Sequence, residues 1–425
     1  MIKRKPELLA PAGDAQALKA AVENGADAVY LGGKLFNARI NAANFNEEEV
    51  KEAVDYAHLR GVKLYMTMNT LIRDQELKAA LEYAVTLYEA GIDALIVQEL
   101  GFAGLVRKYI PEWNLHLSTQ GTIYSAEGVR KAKELGFSRV VLARELTLEE
   151  IREITRQDLL EAEVFVHGAL CICYSGQCQM SREIGGRSGN RGECAQPCRL
   201  PYSVCREAYG RIKEMTGSYY ALSPKDLCAV DQLGALSEAG VASLKIEGRM
   251  KTPEYVAIVT GIYRKYLDLY AENGQYRVDP DDLRDLKQIF SRGGFAQGYF
   301  YGNTEKNLMS GDLSKHQGIY IGKVLRGAHT TRTGARQPED RQRGLVTIRL
   351  EEGLSVGDGI EIRNKELSGN LVTYMKTNGN KADSAGKGET VTVGYIDGNI
   401  APGNHVYKIT DKNLMLKARA TYEGR

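Results

Sequence analysis

The sequence predicts an α/β protein: a (β/α)₈ TIM-like barrel with a cysteine-rich insertion, followed by a small antiparallel β-barrel domain. Three observations support this fold class. Through about the first 300 residues, a short apolar run, a polar turn and a helix of 3.6-residue periodicity recur. All seven cysteines lie between Cys171 and Cys228. From residue 317 onward, short β-patterned runs alternate with Gly, Asp and Asn turns.

Eight apolar runs are predicted to be the barrel strands. They are residues 7–13, 28–33, 63–70, 94–99, 115–120, 139–144, 163–168 and 243–249. A ninth run, 218–226, is assigned to the insertion, although it is also a candidate barrel strand. An open doubly wound sheet is the alternative fold, but no G-x-G-x-x-G motif opens a first helix.

The predicted domains follow these patterns. They are a catalytic barrel over 1–305 with its insertion at about 169–228, a linker over 306–316, a β-barrel over 317–410 and a tail over 411–425. Residues 326–344 carry five arginines on a Gly-containing loop between the first β-runs. This loop predicts either a solvated hairpin or a contact with RNA phosphates.

Composition excludes several classes of protein. Hydrophobic residues make up 43% and charged residues 26% of the chain, as in ordinary globular proteins. A formal net charge of +2 argues against a uniformly basic nucleic-acid coat but leaves local basic patches open. No run approaches the roughly 20 apolar residues of a membrane span. The start, MIKRKPELLAPAG, has no apolar run behind its basic head. We therefore expect a cytoplasmic protein with no membrane partner.

The clustered cysteines indicate a metal or redox site, because thiols stay reduced in the cytoplasm. Cys194-x3-Cys198 would fit half of a structural zinc site, but Cys171 and Cys178 are spaced too widely for the other half. Thiolates gathered from a Gly-rich insertion suit an iron–sulfur cluster at least as well. Spacing alone leaves both metals open.

Polar residues gather at the ends of the predicted barrel strands, where TIM barrels carry their active sites. They include Asn69, Gln98, Gln120, Arg144, Glu145, His167, Glu247 and Arg249, with His116 and Ser118 on the fifth strand. As a set they predict a polar pocket. For a single residue, a structural role inside the barrel is about as probable as a contact with substrate. One such structural alternative is an internal Lys245–Glu247 pair.

Long motifs carry a family resemblance. EVFVHGALCICYSGQCQMS (163–181) resembles closely the signature of the peptidase U32 family. GGRSGNRGECAQPCRLPY (185–202), LSPKDL (222–227) and SLKIEGRMKTPEYV (243–256) are similar to further blocks of that family, as are ELLAPAGD and LHLSTQ. The resemblance is continuous over about residues 6–300. Longer members continue beyond the β-barrel, so we expect the tail to be either a truncated end or the end of a short natural member.

The resemblance implies oxygen-independent hydroxylation of RNA, with a 4Fe–4S cluster and with prephenate as hydroxyl donor. By motif, the implied ligands are Cys171, Cys178, Cys194 and Cys228, with Cys198 as a possible replacement for one of them. Cys173 and Cys205 are expected to be non-ligands. The CAQPCR block and the β-barrel make the chain similar to the branch that modifies a large-subunit rRNA cytidine. The branch that modifies tRNA wobble uridine is the alternative.

Residue roles follow from that chemistry. The two carboxylates of prephenate need cationic partners, among which bidentate arginine is favoured. The predicted substrate-binding residues are Arg144, Arg249, Lys245, Gln120, His116, Asn69, Arg187 and Arg191. The predicted catalytic residues are Lys225, Asp226, Glu247 and His167. The expected partners are RNA and a small anionic metabolite, and the oligomeric state stays open.

Two other classes of function are weaker predictions. A collagenase-like peptidase needs a nucleophile–base pair or a metal-bound water, and the chain has neither H-E-x-x-H nor G-x-S-x-G. The conceivable dyads are Cys171 with His167 and Cys173 with His116. An RNA-binding module without chemistry would leave the polar pocket beside the cysteines unexplained.

Overall fold

A computed structural model describes residues 5–208, 210–302, 308–330, 344–363, 367–396 and 398–424. The strands of its first part are β1 (Glu7–Pro11), β2 (Ala28–Gly32), β3 (Lys63–Met68), β4 (Ala94–Val97), β5 (Asn114–Leu117), β6 (Arg139–Val141), β7 (Glu161–Ala169), β8 (Cys205–Ala208), β9 (Arg211–Glu214), β10 (Tyr220–Pro224), β11 (Asp226–Cys228), β12 (Ser243–Ile246), β13 (Phe295–Ala296) and β14 (Met309–Gly311). The helices are α1 (Ala15–Glu23), α2 (Glu47–His58), α3 (Leu77–Glu89), α4 (Leu100–Tyr109), α5 (Ala126–Glu134), α6 (Leu148–Thr155), α7 (Met180–Gly185), α8 (Leu233–Glu238), α9 (Pro253–Asn273), α10 (Pro280–Ile289) and α11 (Lys412–Arg419).

Eight parallel strands close into a barrel. β1 to β7 pair in chain order, and β12 pairs in parallel with both β7 and β1. All eight predicted runs lie on these strands, so the predicted (β/α)₈ barrel is confirmed and the open sheet is excluded. The strands are almost wholly buried, because helices cover the barrel outside and side chains fill it inside.

Local sequence explains where the barrel helices begin. Asp14 accepts a hydrogen bond from the backbone N–H of Ala17 at the start of α1. Asn46 and Thr147 form capping boxes at α2 and α6, where each side chain and a glutamate three residues later satisfy free N–H groups. These caps set the helix starts and therefore the lengths of the loops above the barrel.

The insertion between β7 and β12 holds the cysteines. β8 and β9 form a hairpin in it, and β11 runs antiparallel to β7. The ninth predicted run contains β10, which pairs with β14 outside the barrel. Its assignment to the insertion is therefore correct, because β12 closes the ladder directly onto β7.

The second part of the chain is antiparallel. Its strands are β15 (Ile319–Arg326), β16 (His329–Thr330), β17 (Val346–Leu350), β18 (Leu354–Ser355), β19 (Gly359–Arg363), β20 (Leu367–Leu371), β21 (Met375–Thr377), β22 (Asn380–Lys381), β23 (Ser384–Ala385), β24 (Thr390–Val393), β25 (Gly398–Asn399) and β26 (His405–Thr410). Its main sheet has the order β20-β19-β26-β15-β17-β24-β21-β22 and covers its own apolar core, in which Ile321, Ile348 and Val391 are fully buried. The predicted all-β character is confirmed, whereas closure into a barrel stays a prediction.

The described residues divide into two compact units. The first lies within Met1–Asp282, Arg292–Ser314 and Arg419–Arg425, and the second within Leu283–Ser291 and Lys315–Ala418. Most of α11 belongs to the second unit, since the backbone N–H of Lys412 donates to Asp358. The predicted domain limits stay a prediction. Most of the arginine loop, residues 331–343, lies outside the described residues. None of the described helices has the length and apolar character needed to cross a membrane.

Candidate active site

A cavity of about 470 Å³, here called the inner cavity, opens at the carboxyl ends of the barrel strands. The loops after the strands and the cysteine insertion form its walls. Of the predicted site residues, those that line it are Asn69, Gln120, Arg144, Lys245, Glu247, Arg249, Cys171, Cys178 and Cys194. The parallel barrel thus brings residues far apart in sequence to one site.

The inner cavity is strongly cationic. Its lining residues include seven cations, which are Arg39, Arg144, Arg199, Lys245, Arg249, Lys251 and Arg292. Glu247 is the single carboxylate among the described lining residues. Two of the cations pair with carboxylates that do not line the cavity: Asp226 lies 2.6 Å from Arg292, and Glu163 lies 2.7 Å from Lys245, measured between nitrogen and oxygen. An excess of positive charge remains, which suits a small ligand with more than one negative charge.

Glu247 lies at the centre of these cations. Its Oε2 is 3.1 Å from Nη2 of Arg144 and 3.4 Å from Nη2 of Arg39. Burial alone would raise the pKa of Glu247, but Arg39, Arg144 and Arg249 hold it at about 2. The carboxylate is therefore ionised at neutral pH, where it orients arginines and has no proton to donate.

Arg249 is 4% exposed at the mouth of the barrel. Its Nη1 donates to Oγ1 of Thr67 at 2.9 Å and to Oδ1 of Asn37 at 3.3 Å. Burial and then Arg39 lower the pKa of Arg249 to about 10, so its charge persists at neutral pH. Both of these hydrogen-bond partners are neutral, which leaves the charge available to a ligand carboxylate.

Arg144 is held on three sides. Its Nη1 donates to the carbonyl oxygen of Ala169 at 2.7 Å, and its Nη2 faces Glu247. The guanidinium carbon lies 3.8 Å from the centroid of the Phe165 ring. These contacts fix the guanidinium plane before any ligand arrives.

Lys245 belongs to a buried ion network as well as to the cavity lining. Its partner is Glu163 instead of Glu247, so the internal pair that the sequence offered as an alternative forms with a different carboxylate. Glu163 also lies 3.3 Å from Nη1 of Arg139, which in turn pairs with Glu7 and Glu161. Burial lowers the pKa of Lys245 while Glu163 opposes that shift. Structural and ligand-facing roles therefore coexist at this lysine.

Asp226 and Lys225 have different surroundings. Asp226 is 1% exposed, and its two oxygens accept from Nη1 of Arg292 at 2.6 Å and from the backbone N–H of Arg292 at 2.8 Å. It therefore positions an arginine of the inner cavity. Lys225 is not among the residues that line that cavity.

His167 on β7 and Cys228 on β11 are partners in the antiparallel pairing of these strands, and neither is among the residues that line the inner cavity. Nδ1 of His167 is 3.1 Å from the Tyr263 hydroxyl, which lies 3.8 Å from Sγ of Cys228. Burial and then Lys251 lower the pKa of His167 to about 3. At neutral pH this histidine is an uncharged member of a packed cluster.

Three predicted binding residues lie away from the inner cavity. His116 is buried inside the barrel against the Tyr65 ring, with its pKa lowered by burial and then by Arg139. Arg191 makes a two-pronged pair with Glu76, whose pKa it lowers to about 2. Arg187 is exposed on the segment between Cys178 and Cys194, here called the cysteine loop. The barrel does not bring these three side chains together.

Four thiols line the inner cavity: Cys171, Cys178, Cys194 and Cys198. Burial raises the pKa of Cys198 to about 11, and the Cys171, Cys194 and Cys178 thiols act in the same direction against Arg199. Cys205 is exposed on the β8–β9 hairpin. The thiols that line this cavity are thus three of the implied ligands and their possible replacement, Cys198, whereas Cys228 is not among the lining residues.

The fit to a metal group is one of donor chemistry. Four thiols in one cavity lining match the ligands of an iron–sulfur cluster in donor type. In the part of the chain that the structure describes, no three His, Cys, Asp or Glu side chains already converge as a metal site. The thiols therefore fit the group by donor type, whereas no three of them are already gathered at metal-binding distances among the described residues.

Four cations of the cavity lining escaped the sequence prediction. Arg39 and Arg292 lie outside helices and strands, and Arg199 ends a single 3₁₀ turn, Pro197–Arg199, so none of the three has a periodic signal. Lys251 follows Arg249 by two positions in EGRMK, so proximity to a predicted strand end was an available signal. Burial and then Arg292 lower the pKa of Lys251 to about 7, which allows it to exchange a proton near neutral pH.

Comparisons with known proteins agree with these features. The model of Peptidase family U32 matches residues 13–310. The "tRNA hydroxylation protein P1" of Bacillus subtilis is 34% identical over 417 residues, which cover 96% of each chain. The "23S rRNA 5-hydroxycytidine C2501 synthase" of Escherichia coli is 38% identical over 84% of this chain and 52% of its own length. A "Collagenase" of Porphyromonas gingivalis is 33% identical over 84% of this chain and 86% of its own.

Proposed function

This chain belongs to peptidase family U32. We propose that it is an enzyme that hydroxylates an RNA base, and our first candidate for that base is a cytidine of large-subunit rRNA. The proposal includes a 4Fe–4S cluster, prephenate as hydroxyl donor and a cytoplasmic location with its RNA. One observation carries it: a single cavity at the barrel mouth joins four thiols to an excess of cations. Relatives named for hydroxylation of tRNA and of 23S rRNA support the substrate class.

The cations of the inner cavity would bind the donor. Prephenate carries two carboxylates, and Arg144 and Arg249, two buried guanidiniums that existing hydrogen bonds hold in place, would receive them. Asp226 holds Arg292 in place, and ionised Glu247 holds Arg39 and Arg144. Lys251 is the residue that would take up or release a proton, because its pKa lies near neutrality.

The thiols would hold the cluster in the same cavity. When bound, such a cluster supplies one-electron redox chemistry or polarises a ligand. Cys171, Cys178 and Cys194 belong to the set implied by the family motifs, and the common cavity favours Cys198 over Cys228 as the fourth ligand. Cys228 has the buried Tyr263 hydroxyl beside it instead.

The target base would have to leave its stack to reach this recessed cavity. RNA loops and partly assembled RNA offer bases that are already unstacked, so they are the preferred substrates. The cavity volume of about 470 Å³ is in the range of small-molecule sites.

Hydroxylation of tRNA wobble uridine is the second candidate. The Bacillus subtilis relative named for tRNA hydroxylation matches end to end, whereas this chain spans about half the length of the rRNA-named relative. End-to-end similarity favours the tRNA substrate, and the higher identity favours the rRNA substrate.

A peptidase function is supported by names: that of the family, that of the relative named "Collagenase", and that of an archaeal relative named as an uncharacterized protease. No histidine is among the described residues that line the inner cavity. His167 has its pKa lowered to about 3 and lies beside Tyr263, so a Cys171–His167 dyad lacks a working base.

Deletion of the gene followed by mass spectrometry of rRNA and tRNA nucleosides tests the proposed function. We expect loss of hydroxycytidine from large-subunit rRNA, with restoration by the wild-type gene. Loss of hydroxyuridine from tRNA would move the assignment to the second candidate. Unchanged nucleosides, together with cleavage of gelatin by the purified protein, would establish the peptidase instead.

Iron and sulfide analysis of anaerobically purified protein tests the cluster. We expect about four iron and four sulfide per chain. Serine at Cys171, Cys178, Cys194 or Cys198 should remove the brown colour, with Cys205→Ser as the matched control that retains it. Loss of iron in Cys228→Ser but not in Cys198→Ser would restore the motif-based ligand set. Stoichiometric zinc without iron would refute the cluster.

A further inference from the structure

A second cavity of about 650 Å³, here called the outer cavity, lies beside the inner cavity on the same unit. Loops after β2 and β3 and the start of the cysteine insertion surround it. The side chains that matter below are Lys34, Phe36, Leu71, Arg73, Arg182 and Arg191. None of them contributes to the proposed chemistry of the inner cavity.

One layer of chain separates the two cavities. In residues 69–71, Asn69 lines the inner cavity while Leu71 lines the outer one. In the cysteine loop, Asn190 lines the inner cavity and Arg191 the outer one, and the N–H of Leu71 donates to the carbonyl oxygen of Asn190 at 2.9 Å. A linear polymer with one monomer in the inner cavity would therefore place a neighbouring monomer in the outer cavity.

The outer cavity carries uncompensated positive charge. Arg191 is neutralised by its pair with Glu76. Lys34, Arg73 and Arg182 are exposed, and none of them forms an ion pair with a carboxylate within the described ranges. Glu193 is a further carboxylate of the lining, so the three cations outnumber it. This balance favours an anionic ligand.

The same cavity offers apolar surface. Leu35, Ile40 and Leu71 are each between 44% and 50% exposed, and the half-buried Phe36 ring lies among them. An aromatic ring next to cations is a feature that binds single-stranded nucleic acid, because bases stack on aromatic rings while phosphates pair with Lys and Arg. Phe36 is the aromatic ring here, and the aliphatic side chains around it extend the apolar surface. A small dicarboxylate would use the charges and leave the apolar surface uncovered.

We propose that the outer cavity binds the nucleotide adjacent to the target base in a single-stranded RNA segment. Lys34, Arg73 and Arg182 would contact its phosphate, and Phe36 with Leu71 would cover its base. The inference rests on the proposed function, since it takes the inner cavity as the place of the target base. The inference adds a path for the RNA strand across the cysteine loop.

Fluorescence anisotropy with labelled single-stranded RNA tests this path. The variant Arg73→Glu/Arg182→Glu should bind a short mixed-sequence RNA at least about tenfold more weakly than wild type, and the slope of log K against log salt should fall by about 0.7 for each lost phosphate contact. The matched control is Lys108→Glu/Lys133→Glu, which reverses exposed cations on α4 and α5 and should leave binding within about twofold.

A length series separates this proposal from the proposed function. Cytidine monophosphate alone should bind wild type and Arg73→Glu/Arg182→Glu equally, while an RNA extended by flanking nucleotides should bind the variant more weakly. Equal binding of the longer RNA to both proteins would refute nucleotide binding in the outer cavity and leave the hydroxylase proposal intact. Equal loss for the mononucleotide would also refute it, since the cations would then serve the target nucleotide. Absence of any RNA binding by wild type would count against the proposed function itself. Unchanged prephenate affinity and thermal unfolding certify that the variant is folded.

Discussion

At the residue scale, burial and neighbouring charge decide which side chains in and near the inner cavity can exchange protons. Glu247 has its pKa held at about 2 and His167 has its pKa lowered to about 3, so neither titrates near neutral pH. Lys251, which the sequence prediction did not select, has its pKa lowered to about 7. The buried carboxylate and histidine thus have fixed charge states, and the lysine is the adjustable group.

Lys251 predicts a pH-dependent affinity for prephenate. The lysine is protonated below its pKa of about 7 and neutral above it, so the attraction for carboxylates is present at low pH and is lost as pH rises. Calorimetry from about pH 6 to about pH 8.5 should show weakening for wild type. Lys251→Arg keeps its charge and should give a flatter profile. Parallel profiles for the two proteins would exclude Lys251 as the titrating group.

Arg249 predicts a loss of ligand affinity. Its buried guanidinium donates to neutral partners and keeps a charge for a carboxylate. Loss of a charged hydrogen bond costs about 1.5–3 kcal/mol, so Arg249→Ala should weaken prephenate binding by roughly ten- to a hundredfold. Arg326→Ala removes an exposed arginine of β15 and should have little effect. Equal affinities of the two variants in calorimetry would remove Arg249 from the site.

At the scale of elements, the cysteine loop depends on close backbone approach to the loop after β2. Gly192 has φ +82°, and a Cβ there would lie 2.3 Å from the carbonyl oxygen of Asn37. Gly186 has φ +68°, with nothing within 4 Å of an added Cβ. The pair therefore separates backbone strain from steric clash within one loop.

Gly192→Ala should lower iron incorporation and thermal stability more than Gly186→Ala does. Both variants pay about 1–2 kcal/mol for left-handed backbone in a residue with a Cβ. Only Gly192→Ala also drives a Cβ into Asn37, which would displace the loop between Cys178 and Cys194. Iron content and melting temperature measure the two effects. Identical losses in both variants would show that loop position does not depend on this approach.

At the scale of the whole barrel, a buried ion network ties together the strands that close the ladder. Glu163 on β7 is fully buried and contacts Lys245 on β12 and Arg139 on β6. Arg139 continues to Glu7 on β1. The network therefore spans the position where the last barrel strand meets the first.

Glu163→Ala should destabilise the protein by about 3–5 kcal/mol, because it leaves Lys245 without its buried carboxylate and removes one from Arg139. The matched control is Glu134→Ala, which removes an exposed ion pair with Lys131 on α5 and should not measurably change unfolding. Denaturant unfolding monitored by circular dichroism compares the two. A small loss in Glu163→Ala would mean that water or rearranged partners compensate inside the barrel.

The sequence by itself predicted the barrel, because eight apolar runs of strand length alternate with helix patterns and no G-x-G-x-x-G motif opens a first helix. It also identified Asn69, Gln120, Arg144, Glu247 and Arg249 at the cavity, because residues at strand ends meet at one face whatever the loops do. The family motifs likewise located the cysteine insertion and the family itself.

Only the tertiary structure decided which residues of irregular segments join the site. Arg39 and Arg292 come from loops and Arg199 from a single 3₁₀ turn, all too short or irregular for a periodic pattern to orient them. Tertiary packing also separated Cys228 from the cavity lining and added Cys198, since β11 runs antiparallel along β7 and turns Cys228 towards Tyr263. Spacing along a chain predicts contacts within a helix or strand, whereas contacts between an insertion and a barrel depend on how the backbone folds back.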